Sequence, residues 1–212
     1  MIVNNIMTKN PLTVHSDCSV SEARTLMDKE KISCLPVLDK SNRLIGIATK
    51  EDFIKAGPSM ATTLDMYEIS YLLTKLKVEK IMSKKVFSVQ DNEVIEEAAR
   101  IMADNDINCL PVLRGQLLVG IITVSDLFEF FVKAFGARHH GVRFSFSMPE
   151  KPGQLAKLTA AIAAKNGNIV AFVSQEGDDL TQRKGTLKIT GIEKSIVEQI
   201  AQESEAEVVD IR

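Results

Sequence analysis

The sequence predicts an α+β protein in which a duplicated unit precedes a ferredoxin-like domain. Two observations support this fold class. The segment CLPVL stands at 34–38 and again at 109–113, and the similarity around the two copies covers roughly the first 130 residues. Beyond about residue 140, the predicted elements follow in the order β-α-β-β-α-β, which is the ferredoxin-like order.

The repeat extends well beyond the five shared residues. Upstream, LTV at 12–14 corresponds to FSV at 87–89, and downstream LIGIATKEDF at 44–53 corresponds to LVGIITVSDL at 118–127. Each copy is therefore a unit of roughly 55 residues. One such unit is near the lower size limit for an adequate core, so we expect the copies to pack against each other.

Each copy is predicted to fold in the order β-α-β-β-α. A short extended segment, PLTVHS or VFSVQD, leads into a helix, which Ser19 and Glu22 start in the first copy with capping-box spacing. In the second copy we expect Asp91 and Asn92 to start the helix. Two strands follow, CLPVLD with RLIGIAT and CLPVLR with QLLVGIIT, and a second helix begins at TKED or TVSD.

The repeated CLPVL segment carries two prolines and two cysteines. Pro36 and Pro111 lack a backbone donor, so we expect their strands to be interrupted or edge-like at these positions. Cys34 and Cys109 are at equivalent positions. They are expected to be small buried residues, since free cysteine is among the most buried residue types, and a redox switch is the alternative.

The segment between the copies, 57–78, is predicted to be an ordered helical connector. Residues 64–76 have the spacing of an amphipathic helix. The side chains available to its apolar side are Leu64, Tyr67, Tyr71, Leu72 and Leu76.

The last part of the chain has a different pattern. VRFSFSM at 142–148 alternates as a strand does, and its pairing capacity favours an exposed sheet edge that joins two chains. PGQLAKLTAAIAAKNG is predicted to be a helix with Pro152 near its start. NIVAFVSQ and GTLKITGI are predicted strands, EKSIVEQIAQES a helix and AEVVDIR a last strand.

Composition and motifs narrow the function classes. A net charge of −2 over 212 residues with both signs mixed gives no basic field for nucleic acid or anionic lipid. No apolar run could cross a membrane, and the first residues do not resemble a signal peptide, so we expect a soluble, cytoplasmic protein. No phosphate-binding loop, dinucleotide fingerprint or nucleophile–base motif is present, and no metal site is expected, because the adjacent His139 and His140 have no third ligand.

The duplicated part resembles a tandem pair of CBS domains, a Bateman module. Each copy has the M-[TS] start, the PV strand and the pattern G-h-h-T-x-x-D, in which h is an apolar residue, at 46–52 and 120–126. The resemblance implies CBS domains at 1–56 and 79–135, separated by the connector at 57–78.

The last part resembles an ACT domain. The carrying residues are EKPGQL at 150–155, similar to the acidic-x-P-G-x-L pattern of that family at its first strand-to-helix turn, together with the βαββαβ order. The resemblance covers 140–212. The whole arrangement is similar to acetoin-utilisation AcuB-type proteins.

The CBS resemblance implies two sites for adenosine ligands, each built from both copies. The Thr/Asp motif of one copy works with the entry loop of the other copy and with the residues before its PV strand. One site then contains Thr49, Asp52, Ile47, Phe87, Ile107 and Asn108, and the other contains Thr123, Asp126, Ile121, Leu12, Ile32 and Ser33.

The Thr/Asp motif has two compatible interpretations. It can be a capping box at the start of a helix, and its carboxylate can accept both hydroxyls of a ribose. Many relatives have a basic residue before the Asp, whereas this chain has Glu51 and Ser125. Glu51 would repel a polyphosphate, which disfavours a triphosphate at the Asp52 site.

The ACT resemblance implies that a small effector, often an amino acid in that family, binds at the turn before the first helix. Gly153 would let a carboxylate approach backbone N–H groups there. The alternative is a turn with a structural role only. The implied residues are Lys151, Pro152, Gly153, Gln154 and Leu155.

These features together predict a non-catalytic regulatory sensor. AMP, ADP, ATP and S-adenosylmethionine are the candidate ligands, and the expected partners are a second copy of the chain and a protein whose activity it regulates. A dimerisation module with vestigial sites is the alternative. An enzyme built on either scaffold is a third class, and the sequence has no catalytic motif that favours it.

Overall fold

The structure is a computed structural model and describes residues 1–57, 65–177 and 180–212. The chain forms two compact units, Met1–Leu127 and Phe128–Arg212. Among the described residues, none of the helices combines the length and the apolar character that a membrane crossing requires.

The first copy has the predicted β-α-β-β-α order. After the short strand β1 (Thr8–Lys9) come β2 (Val14–His15), α1 (Val20–Glu30), β3 (Cys34–Leu38), β4 (Leu44–Thr49) and α2 (Lys50–Lys55). The capping box at α1 forms as expected. The Glu22 amide donates to Ser19 Oγ at 3.1 Å, and the Ser19 amide donates to Glu22 Oε2 at 3.1 Å.

The second copy repeats this order after the connector helix α3 (Met66–Lys75). Its elements are β5 (Val89–Gln90), α4 (Ile95–Asn105), β6 (Cys109–Arg114), β7 (Leu117–Thr123) and α5 (Val124–Ala134). The expected start of α4 at Asp91 and Asn92 is wrong, because the N-cap is Val94, which offers no side-chain acceptor. Asp91 instead accepts from the Arg114 Nε at 2.8 Å, and its carbonyl accepts from the amide of Asn4.

The apolar side predicted for the connector helix is right at Leu76 and wrong at three other positions. Tyr67, Tyr71 and Leu72 are 87%, 61% and 52% exposed, whereas Leu73 and Leu76 pack against the core of the first copy. Leu73 and Leu76 are three residues apart and therefore lie on the same side of the helix, which contacts α1. Leu64 lies outside the described residues.

The two copies exchange their leading segments. The first sheet has the order β2-β3-β4 and the second β1-β7-β6-β5. Strand β1, which precedes the first copy, pairs with the second copy through Thr8 and Ile121. Ser83, which precedes the second copy, bridges to Ile47 of the first. Each sheet is thus completed by the segment that leads into the other copy.

Pro36 and Pro111 lie in continuous strands, so the expected interruption does not occur. Pro36 is opposite Ile47, whose amide and carbonyl bond to Ser83 on the other side. Pro36 is therefore in a non-hydrogen-bonded pair, and its missing donor would face away from β4. On that side β2 starts pairing only at Val37, so the strand is edge-like at the proline alone.

Each copy buries its own apolar core, and a small third cluster joins them. That cluster consists of Cys34, Ile47, Cys109 and Ile121, all less than 10% exposed. It lies where β3 and β6 begin, next to the two leading segments.

The second unit has the β-α-β-β-α-β order of the ferredoxin-like fold. Its elements are β8 (Val142–Pro149), α6 (Gln154–Ala164), β9 (Asn168–Glu176), β10 (Gln182–Thr190), α7 (Lys194–Glu203) and β11 (Glu207–Ile211). The sheet order is β11-β8-β10-β9. The expectation of an edge at VRFSFSM is wrong, because β8 is a central strand whose Phe144, Phe146 and Met148 are buried in the core. Strands β9 and β11 form the edges.

Candidate functional site

Two clefts in the first unit contain the residues predicted from the repeat. We call them the Asp52 cleft, of about 320 Å³, and the Asp126 cleft, of about 340 Å³. Both volumes are at the lower end of the range for small-ligand pockets. Ser33 and Cys34 line both clefts.

Each cleft is assembled from both copies. The Asp52 cleft combines Ile47, Thr49 and Asp52 of the first copy with residues of the second, which are Phe87, Ile107 and Asn108. The Asp126 cleft combines the equivalent residues with the copies exchanged, which are Ile121, Thr123, Asp126, Leu12, Ile32 and Ser33. All twelve predicted residues thus fall into the two groups that the sequence predicted, and their role in binding stays a prediction.

The polar end of the Asp52 cleft is the start of α2. The Thr49 amide and hydroxyl both donate to Asp52 Oδ2 at 2.8 Å, and the Asp52 amide approaches Thr49 Oγ1 at 3.4 Å. The capping interpretation of the motif therefore holds. Among the described residues these bonds engage only Oδ2 of the carboxylate, which leaves Oδ1 for a ligand hydroxyl.

The Asp126 cleft repeats this geometry at the start of α5. Asp126 Oδ2 accepts from the Thr123 amide at 2.8 Å and from its hydroxyl at 2.7 Å. The carbonyls of Ser33 and Asn108 accept from Lys50 and Val124, the first residues of α2 and α5. Each helix start is thus fixed to the residue that precedes the CLPVL strand of its own copy, whereas each cleft combines the carboxylate of one copy with Asn108 or Ser33 of the other.

The two clefts differ in the number of charged side chains that line them. The Asp52 cleft has Lys50, Lys55 and Lys85 with Glu51, Asp52 and Asp106, whereas the Asp126 cleft has Lys31 and Asp126. The predicted repulsion of phosphate took account of Glu51 alone. In the structure Glu51 forms an exposed ion pair with Lys55 at 3.9 Å, and the three lysines of the cleft balance its three acidic residues.

Lys85 is the cleft residue that the sequence reasoning most clearly missed. It belongs to the leading segment of the second copy, and its Nζ lies 4.7 Å from the centre of the Phe87 ring. Asn10 occupies the equivalent position in the Asp126 cleft. Aligning the two leading segments residue by residue would have found this difference.

The predicted effector residues lie in the turn between β8 and α6. Helix α6 begins at Gln154, so Pro152 lies before the N-cap Gly153 rather than in the helix. Gly153 has φ +88°, and the space beside its Cα is open. Gln154 is 6% exposed, and its Nε2 donates to Glu205 Oε2 at 3.4 Å. Its Oε1 has no hydrogen-bond donor among the described residues.

A cavity in the second unit lies elsewhere. It has a volume of about 300 Å³ on the sheet, where the hydroxyls of Ser145 and Thr186 are 2.9 Å apart, with Arg143 and Val173 beside them. None of the five predicted effector residues lines it. The predicted effector site and this cavity are therefore two separate places in the second unit.

The described part of the chain contains no group of three or more His, Cys, Asp or Glu side chains arranged to hold a metal ion.

Comparisons with known families agree with this architecture. The CBS domain family matches residues 3–59 and 78–133, and the TTHA0829-like ACT domain family matches residues 140–212. The chain belongs to the CBS-domain family, as a tandem CBS pair followed by an ACT domain.

Several curated proteins are similar to this chain. The uncharacterized protein MJ1426 of Methanocaldococcus jannaschii is 31% identical in an alignment of 153 positions that covers 61% of this chain and 90% of that protein. L-aspartate semialdehyde sulfurtransferase of the same organism is 30% identical over 61% of this chain and 23% of the enzyme. Homoserine O-acetyltransferase of Methanococcus vannielii is 32% identical over 59% of this chain and 24% of the enzyme. The chain thus spans about a quarter of each of these two enzymes.

Solved structures include similar CBS pairs. A putative acetoin utilization protein (AcuB) from Vibrio cholerae is 28% identical with a TM-score of 0.54, over 65% of this chain and 95% of that one. The CBS pair of MJ0100, in complex with 5′-methylthioadenosine and S-adenosyl-L-methionine, is 28% identical with a TM-score of 0.53, over 66% and 98%. CBSX2 in complex with AMP is 27% identical with a TM-score of 0.51, over 62% and 96%.

Proposed function

We propose that this chain is a non-catalytic regulatory sensor whose CBS pair binds adenosine nucleotides or related adenosyl ligands. The observation that carries the proposal is the composition of the two clefts. In each, an apolar wall from one copy faces the Thr/Asp helix start of the other copy. The complexes of MJ0100 and CBSX2 with adenosyl ligands support this ligand class.

The chemistry of an adenosine ligand fits the arrangement. In the Asp52 cleft the purine would lie between Ile47 and Phe87, and its edge would meet the amide of Asn108. The ribose hydroxyls would donate to the free Oδ1 of Asp52, a charge-assisted bond worth about 1.5–3 kcal/mol. Phosphates would then extend toward Lys85. Ile121 and Leu12 would hold the purine in the Asp126 cleft.

Thermal unfolding with AMP, ADP, ATP and S-adenosylmethionine tests the proposal. A ligand that binds only the folded state stabilises it by about 2.7 kcal/mol at a concentration one hundred times its Kd. We expect at least one of the four to raise the melting temperature. If none of the four ligands shifts the melting temperature at millimolar concentration, the proposed sensor function loses its basis.

For the ACT domain we propose a second small effector, such as an amino acid, at Lys151–Leu155. The unpaired Oε1 of the buried Gln154 supports this assignment, because a buried acceptor without a donor is costly and an ammonium group could satisfy it. Calorimetry with the standard amino acids is the test, with Gln154→Leu as the variant expected to lose binding. If none of the amino acids gives a heat of binding, the turn has a structural role only.

The proposal includes a homodimer, an unknown regulated protein and a cytoplasmic location, with domains at 1–56, 79–135 and 140–212 and a connector at 57–78. The alternative function is a dimerisation module with vestigial ligand sites. A chain that is dimeric in solution and binds none of the candidate nucleotides would favour that alternative.

A further inference from the structure

The cysteines of the two CLPVL segments meet where the copies join. Cys34 begins β3 and Cys109 begins β6, and each is 6% exposed. Both belong to the cluster with Ile47 and Ile121. Both also line the Asp52 cleft, so the two thiols lie together at the boundary between the copies. The expectation of buried packing is met, and the two cysteines belong to the same four-residue cluster.

Neither thiol is sealed from small molecules. Cys34 lines both clefts, and Cys109 lines the Asp52 cleft. The Cys109 thiol, as a hydrogen-bond donor, lowers the pKa of Cys34, and the same contact together with burial raises the pKa of Cys109. The pair therefore gives up its first proton from Cys34, and the thiolate is the reactive form of cysteine.

We propose that Cys34 and Cys109 form a reversible disulfide, with a low-molecular-weight disulfide as the oxidant. The Cys34 thiolate attacks one sulfur of the small disulfide and releases its other half as a thiolate, which gives a mixed disulfide. Cys109 then loses its proton and attacks the Cys34 sulfur, which releases the second half. Two protein thiols are oxidised, and one small disulfide is reduced to two thiols.

The disulfide would bridge the two copies at the common wall of the clefts. Pulling the sulfurs from contact to bonding distance moves the starts of β3 and β6, and with them Ser33 and Asn108, which directly precede the cysteines. A ligand in the Asp52 cleft would cover the approach to Cys109, and ligands in both clefts would cover the approach to Cys34. This second step rests on the proposed function, and by linkage oxidation and ligand binding would oppose each other.

Intact mass and peptide mapping test the disulfide without any nucleotide. Cys18, the third cysteine, is partly exposed on the surface, so the Cys18→Ser protein leaves only the pair. After incubation with oxidised glutathione we expect the loss of two hydrogen masses, a peptide that joins Cys34 to Cys109, and full reversal by dithiothreitol. Cys109→Ser should instead retain one glutathione on Cys34.

The proposal is overturned if the Cys18→Ser protein keeps both thiols free under these conditions, or if mapping finds only disulfides between chains. The ligand step has its own readout. Saturating AMP should slow formation of the disulfide at least about tenfold, which corresponds to a bound fraction above nine-tenths. If the protein binds AMP and the rate of disulfide formation is unchanged, the coupling is refuted. If the protein binds no nucleotide, the proposed function is refuted, and peptide mapping still decides whether the disulfide forms.

Discussion

The sulfur of Met82 occupies the space that a side chain would need at Gly46. A Cβ built on Gly46 would overlap Met82 Sδ, and a Cβ on Gly120 would overlap Met7 Sδ in the other copy. Both methionines belong to the exchanged leading segments. The glycine of the G-h-h-T-x-x-D pattern is therefore the place where each segment docks on the other copy.

We predict that Gly46→Ala destabilises the protein by about 1–3 kcal/mol, the usual cost of overpacking. The three nearest atoms to the added Cβ all belong to the Met82 side chain. Gly46→Ala should therefore cost less stability in a Met82→Ala background than in the wild type. Urea unfolding of the single and double variants measures both effects.

The second copy supplies a matched comparison. At Gly120 the added Cβ would meet the carbonyl oxygen of Thr8 at 3.1 Å as well as the Met7 side chain. A backbone carbonyl cannot rotate away, so a Met7→Ala background should lower the cost of Gly120→Ala by less. An equal reduction at the two positions would contradict this account of the docking.

The composition of the clefts could be predicted from the sequence because two copies of one repeat adopt the same fold. Two copies with the same motif must present equivalent residues, so the partners of Asp52 and Asp126 followed from the family pattern. Lys85 did not follow, because the two copies differ at this position, where the first has Asn10, and a repeat predicts only what its copies share. The position of β8 within its sheet could not be predicted either. The alternation in VRFSFSM indicates a strand with one buried face, but it does not indicate which strands lie beside it.

We predict that Asp52→Asn and Asp126→Asn each weaken adenosine binding at one cleft about ten- to a hundredfold. The charge-assisted bond to the ribose, worth about 1.5–3 kcal/mol, is lost. The amide oxygen of asparagine can still accept from the Thr amide, so the helix start is kept. Calorimetry should show one affected site per variant.

Thr49→Val and Thr123→Val are the matched controls for these variants. Each removes the hydroxyl that donates to the carboxylate at 2.8 or 2.7 Å and leaves the charge in place. We expect a loss of stability with adenosine affinity reduced less than in the Asp variants. If the Asp→Asn proteins bind normally and only unfold more easily, the carboxylates are helix caps and nothing more.

We predict that Lys85→Ala weakens ATP about fivefold at the Asp52 cleft and leaves adenosine almost unchanged. Lys85 is exposed, so its attraction for phosphate is screened and worth about 1 kcal/mol. Lys84→Ala, at an exposed neighbouring position that does not line the cleft, is the control. Equal effects of the two variants on ATP would mean that only the overall charge matters.

We predict a homodimer at micromolar concentration, which light scattering would report as twice the mass of one chain. The exposed Tyr67 and Leu72 of the connector helix are apolar surface that a second copy could cover. The double variant Tyr67→Glu with Leu72→Glu should therefore shift the protein toward the monomer. Leu180→Glu, at an equally exposed apolar position in the other unit, should leave the dimer intact. A monomeric wild type would contradict the prediction.

We predict that exchanging the residues before the CLPVL strands changes the base preference of the clefts. Asn108 and Ser33 are exposed at equivalent positions, and their carbonyls make equivalent bonds to Val124 and Lys50 at 3.0 Å. Their side chains therefore differ only in chemistry, because an amide both donates and accepts across a purine edge and a hydroxyl offers one group.

Asn108→Ser should lower the preference of the Asp52 cleft for adenine over guanine nucleotides, and Ser33→Asn should raise that of the Asp126 cleft. Titration of both variants with AMP and GMP measures the ratio of affinities at each site. A single good hydrogen bond is worth about 1 kcal/mol, so a change of about fivefold is expected. If neither substitution moves the ratio, the purine edge is recognised by backbone groups, and the difference between Asn108 and Ser33 has no part in selecting the base.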